Sequence, residues 1–150
     1  HLAAVSSILN GIGKAIYIVP LKALASEKYK EFTKMYNGMF RIALSVGDAD
    51  EKMQYLENYD FIITTSEKLD AVIRHSVSWL SQVRVIIVDE IHLLNDASRG
   101  PTLEILITML RKILPKSQII GLSATIGNAA ELAEWLKAEL VTDDWRPVVL

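Results

Sequence analysis

The chain has 150 residues, 51% of them hydrophobic and 23% charged, with a formal net charge of −2 and no cysteine. That is enough chain to bury one core, and the balance is that of a soluble globular class, not a disordered or membrane one. Disulfides and thiolate metal sites are excluded outright. With no basic stripe, any nucleic-acid contact is expected to be local and geometric rather than a broad electrostatic footprint. No apolar run reaches membrane-spanning length and the first residues do not read as a signal peptide, so no membrane partner is expected, and the lack of cysteine fits a reducing cytoplasm.

In chain order, residues 2–9 read as a helix already under way at the start. Asn10-Gly11 reads as its terminating turn. Apolar runs at 15–19, 41–46, 60–64, 83–88 and 118–122 read as strands, and residues 21–36, 67–74, 101–114 and 129–137 as helices between them. Such alternation predicts an α/β fold, a parallel sheet with helices on both faces. Residues 141–150 read as an extended exit segment.

The most informative stretch is Val85-Ile-Ile-Val-Asp-Glu-Ile-His92, an apolar run that ends in two carboxylates and an imidazole. Acids are costly inside a layer buried on both faces, so Asp89 and Glu90 must emerge where the strand ends, at the rim where open α/β sheets bind ligands. There one acid suits a hydrated divalent cation and the other a water to be oriented or deprotonated. The bland alternative is that the pair caps a following helix.

Other loops after strands have character too. Pro20-Leu21-Lys22-Ala23 follows the first strand, with the proline suited to opening a helix. Thr64-Thr65-Ser66 follows the third, where hydroxyls can cap a helix starting near Glu67. Helix starts expose N–H groups to anions, and two at one sheet edge suit successive phosphates of a strand, although for any single loop ordinary capping is the commoner reason and both can hold at once. Ser123-Ala124-Thr125 follows the last strand. If that strand lies beside 83–88, Ser123 and Thr125 come next to Asp89 and His92.

Together these motifs resemble the first RecA-like domain of superfamily-2 DExH-box helicases. Val19-Pro-Leu-Lys-Ala-Leu-Ala-Ser-Glu-Lys-Tyr29 is similar to the Ski-two-like group, above all its archaeal repair helicases of the Hjm type. Ser45-Val-Gly-Asp48, Thr64-Thr-Ser-Glu-Lys68, Asp89-Glu-Ile-His-Leu-Leu94, Arg99-Gly100, Gly121-Leu-Ser-Ala-Thr125, Glu134-Trp-Leu136 and Asp144-Trp-Arg-Pro147 agree in order and spacing. The resemblance implies that Asp89 binds the Mg²⁺ of ATP and that Glu90 is the catalytic base, with His92 in the same catalytic motif. It implies that His92, Ser123, Ala124 and Thr125 couple nucleotide to polynucleotide. It further implies that Pro20, Leu21, Lys22, Ala23, Gly47, Thr64, Thr65 and Ser66 line single-stranded or forked DNA. Arg99 falls either near that strand or in a structural salt bridge.

The departure from the family is at the start. No G-x-x-x-x-G-K-[ST] loop occurs, and Gly11-Ile12-Gly13-Lys14 is no substitute, being too short, lacking the terminal hydroxyl and preceding a strand. The resemblance therefore implies residues 1–140 of a first RecA-like domain lacking its first strand and P-loop, then a linker at 141–150 towards an absent second RecA-like domain. It implies a parent ATP-dependent DNA helicase of repair or fork processing, a piece that is itself inactive, and a bare sheet edge at 118–122 inviting self-association. An RNA helicase of the same group, a silent nucleic-acid-binding α/β module and a receiver-like or flavodoxin-like Mg²⁺ binder are the competing readings.

Overall fold

The computed structural model describes residues 1–47, 53–75, 77–124 and 127–142. In chain order these form α1 (Leu2–Leu9), β1 (Lys14–Val19), α2 (Lys22–Met35), β2 (Ile42–Ser45), β3 (Phe61–Thr65), α3 (Ser66–Arg74), β4 (Val83–Val88), α4 (Gly100–Ile113), β5 (Gln118–Gly121) and α5 (Ala129–Leu136). Every strand and helix expected from periodicity is present. Three short 3-10 turns were not expected, at Met53–Asn58, Ser78–Gln82 and Ile91–Asn95. They are too short to display a period, and burial holds them: Trp79 is fully enclosed and its indole N–H donates to the Met53 carbonyl at 3.2 Å.

The five strands lie in the order β2-β3-β1-β4-β5, and every pairing is parallel. Side-chain alternation along β1 divides the core. Ala15, Tyr17 and Val19 face a layer that includes Ala4 and Val5 of α1 and Ala25 and Phe32 of α2. Ile16 and Ile18 face the opposite layer, with Leu69 and Val72 of α3 and Leu103, Leu106, Ile107 and Leu110 of α4. The α4 set recurs at three- and four-residue spacing, which makes one apolar stripe. All six residues of β1 are buried, as a central strand covered on both faces requires. Among the described residues no helix is long and apolar enough to cross a membrane.

Lys14 settles the nature of the glycine-lysine stretch. Gly11, at φ +65°, takes the left-handed turn that ends α1. A side chain at Gly13 would overlap the Gln82 carbonyl oxygen, so the backbone passes too close there for anything larger. Lys14 then begins β1, and its buried ammonium donates to the carbonyls of Glu57 at 2.8 Å and Tyr59 at 2.7 Å. It serves the amino-terminal rim of the sheet, at the opposite end from Asp89.

Ile119 and Ile120 of β5 are half-buried, while Gln118 and Gly121 are exposed. Among the described residues β5 has a neighbour on one side only, as the bare edge expected at this strand requires.

Candidate functional site

Because all strands run one way, the chain leaves β1, β2, β3, β4 and β5 at a common carboxyl rim. After β1 it crosses to α2 on one face, whereas after the adjacent β3 and β4 it reaches α3 and α4 on the other. Connections that part to opposite faces open a crevice between the strands. A cavity of about 60 Å³ lies there, with Pro20, Ser66, Asp89, Ser98, Arg99 and Thr102 in its wall.

Asp89 is held by three contacts. Its amide donates to the Ile18 carbonyl at 2.9 Å, extending the β1–β4 ladder by one residue. Its Oδ1 accepts the Glu90 amide at 3.0 Å and its Oδ2 accepts the Tyr17 hydroxyl at 2.9 Å. Burial, and then the hydrogen bond to Asp89, push the Tyr17 phenol well above its ordinary 10.0, so it stays a donor. Glu90 adopts the left-handed conformation, φ 53° and ψ 43°, and its carboxylate makes no capping bond to the turn that follows. Glu90 therefore does not cap the turn through its side chain, while Asp89 takes the first amide of that turn. His92 Nδ1 lies 3.2 Å from Glu90 Oε2, within ion-pair distance, yet off the line of a hydrogen bond; this buried nitrogen has no hydrogen-bond partner among the described residues.

The loops after β4 and β5 are joined directly. Leu122 donates from its amide to Val88 at 2.8 Å, and Ile91 donates to Leu122 at 2.8 Å. A Cβ on Gly121 would stand 2.8 Å from Ile91 Cδ1, so the missing side chain lets the acid-bearing turn settle on β5. A reciprocal amide pair adds a second tie, with Asn95 donating to Asn128 at 3.1 Å and receiving from it at 3.3 Å. Sequence reading missed this pair, since two isolated asparagines carry no pattern. Ser123 is exposed and its hydroxyl donates to the adjacent Ala124 carbonyl at 2.8 Å rather than to Asp89 or His92. Thr125 lies outside the described residues, as does Asp48.

On the polynucleotide side, α2 starts at Lys22 with extended Leu21 as its cap, so Pro20 stands ahead of the helix rather than inside its first turn. Leu21, Lys22 and Ala23 are exposed, and so is Gly47. The hydroxyls at β3 behave differently. Thr64 and Thr65 are 1% and 3% exposed; Thr65 caps α3 by accepting the Lys68 amide at 3.5 Å, and Thr64 bonds the Thr65 carbonyl at 3.4 Å. A ligand at this loop meets Ser66, not the threonine side chains. Arg99 is exposed at the cavity mouth and makes no ion pair with a described residue.

Parallel strands with layers on both faces, an acid pair at the rim and a Ser-Ala-Thr loop on the adjoining strand define a RecA-like α/β domain. Residues 1–132 match the DEAD/DEAH box helicase family, and the chain belongs to it. Over its whole length it is 62% identical to the ATP-dependent DNA helicase Hel308 of Methanocaldococcus jannaschii and 52% identical to that of Pyrococcus horikoshii. It is also 50% identical to the Hel308 of Pyrococcus abyssi. The chain spans 13%, 21% and 21% of the length of these three archaeal relatives.

Proposed function

We propose that this chain forms residues 1–140 of a first RecA-like domain, followed by a linker at 141–150, in an ATP-dependent DNA helicase of repair or fork processing. The observation that carries the reading is the pair of backbone hydrogen bonds joining the acid-bearing turn to the loop after β5. A change at the nucleotide is felt at the Ser-Ala-Thr loop through two bonds, with the Pro20 and Ser66 loops beside it. The relatives at 50–62% identity are named DNA helicases, which favours DNA over RNA.

The donor set fits Mg²⁺ carried with a nucleotide. No group of three His, Cys, Asp or Glu side chains capable of holding a metal occurs among the described residues. A lone Asp89 carboxylate therefore suits an ion that keeps its waters and phosphate ligands, and disfavours a receiver-like site binding Mg²⁺ by itself. When bound, Mg²⁺ offsets negative charge on the β- and γ-phosphates. Asp89 orients that assembly, and Glu90 accepts the proton of the water attacking the γ-phosphorus as the bond to the departing ADP oxygen breaks. His92 beside Glu90, with Ser123, Ala124 and Thr125, relays the result. Pro20, Leu21, Lys22, Ala23, Gly47 and Ser66 form the strand-facing wall, with Thr64 and Thr65 supporting it from inside. Arg99 adds a cation at the mouth.

The chain holds no G-x-x-x-x-G-K-[ST], and phosphoryl transfer depends on the amides and lysine of that loop. By itself the 150-residue chain should show no DNA-stimulated ATP turnover, while the full-length protein does. Glu90→Gln in the full-length protein should lower kcat at least about 100-fold and leave single-stranded DNA binding unchanged. Turnover by the chain alone, or full activity in E90Q, would overturn the assignment. Tighter binding of RNA than DNA across a salt series would move it to an RNA helicase.

A further inference from the structure

Tyr17 is the group at this rim whose chemistry the reading above leaves unused. It sits on β1, 4% exposed, with its ring edge-on to Phe32 at 5.5 Å and Phe61 at 6.4 Å. Those contacts need only a ring. A buried phenol oxygen, in contrast, needs a hydrogen-bond partner, and here the partner is Asp89 Oδ2 at 2.9 Å. The meeting follows from register. Tyr17 pairs with Ile87, and Asp89, two positions on and just past the end of β4, falls on the same face, its amide bonded to Ile18.

The two oxygens of Asp89 are thus pinned by separate donors, the phenol on Oδ2 and the Glu90 amide on Oδ1. An ionised carboxylate has about four acceptor directions, so two stay open at the rim. Without the phenol, a carboxylate one residue past the strand end could turn about its own bonds. We propose that Tyr17 is the positioning residue of the metal-binding carboxylate: its hydroxyl locks Asp89 in the orientation that receives Mg²⁺-ATP. This rests on the reading of Asp89 as the residue that holds that ion. Partners of this kind, behind a metal-binding carboxylate, change metal affinity or activity by 10- to 100-fold when removed.

The test uses Tyr17→Phe and Asp89→Asn in the full-length protein. Y17F keeps the ring between Phe32 and Phe61, and thermal denaturation reads its folding separately. Binding of a fluorescent ATP analogue is followed over a Mg²⁺ titration, so hydrolysis is not the readout. Y17F should need about 10-fold more Mg²⁺ for half-maximal binding, with kcat at saturating Mg²⁺ changing less. D89N should lose the Mg²⁺ dependence altogether. A Y17F titration that overlays the parent while D89N loses its Mg²⁺ response overturns the role of Tyr17 alone. A D89N titration identical to the parent overturns the reading of Asp89, and the inference with it. A crystal structure of Y17F with Asp89 in its present rotamer would also count against the lock.

Discussion

At the scale of single residues, Glu90 is the telling case. A non-glycine residue at φ 53° carries a steric cost of about 1–2 kcal/mol, because its Cβ crowds the backbone. Folded proteins keep such strain where the surrounding structure enforces it, and sites of reaction are where it collects. Glycine adopts this conformation freely, so Glu90→Gly should melt no lower than Glu90→Gln, although both lose the carboxylate. Paired thermal denaturations check this; a G variant clearly below the Q variant would mean that Glu90 is unstrained. Spelling located Asp89, Glu90 and His92 in the sequence, because an acid pair after an unbroken apolar run can only emerge at a strand end. The same reading could not tell that Thr64 and Thr65 would turn inward, since a hydroxyl's direction depends on what packs over it. Tyr17 and the Asn95–Asn128 pair were equally silent, each being defined by a partner 33 or more positions away.

At the scale of elements, the turn Ile91–Asn95 and strand β5 behave as one unit. Ile91 is 2% exposed and lies over Gly121, which has no side chain to prevent it. Gly121→Ala must push Ile91 aside and should destabilise the domain by about 1–2 kcal/mol. The Ile91 amide, bonded to Leu122, should then exchange with solvent faster than amides at the centre of β1. Gly127 offers the contrast: nothing stands within 4 Å of its added Cβ, so Gly127→Ala should stay within about 0.5 kcal/mol of the parent. Denaturant titration and amide exchange on the two variants provide the check, and equal losses would remove the argument. The helices were legible because apolar residues such as those of α4 recur with the helical period. The 3-10 turns were not, for want of length.

At the scale of the molecule, a five-stranded parallel sheet gathers its functional loops by direction alone. Among the described residues β5 closes one side of it, with no strand on its outer edge and with partly exposed Ile119 and Ile120. An unprotected edge of that kind pairs with another chain, so the 150-residue chain should self-associate as its concentration rises. Gln118→Lys, at an exposed edge position, should shift sedimentation towards monomer without lowering thermal stability; a chain monomeric at every concentration would sink this expectation. The amino-acid order by itself determined the strands, the helices, the parallel sheet and the family, because those depend on hydrophobic period and on motifs a few residues long. Strand order and facing belonged to the tertiary structure: which hydroxyl turned inward and which tyrosine met Asp89. Local sequence has no term for partners that only packing brings together.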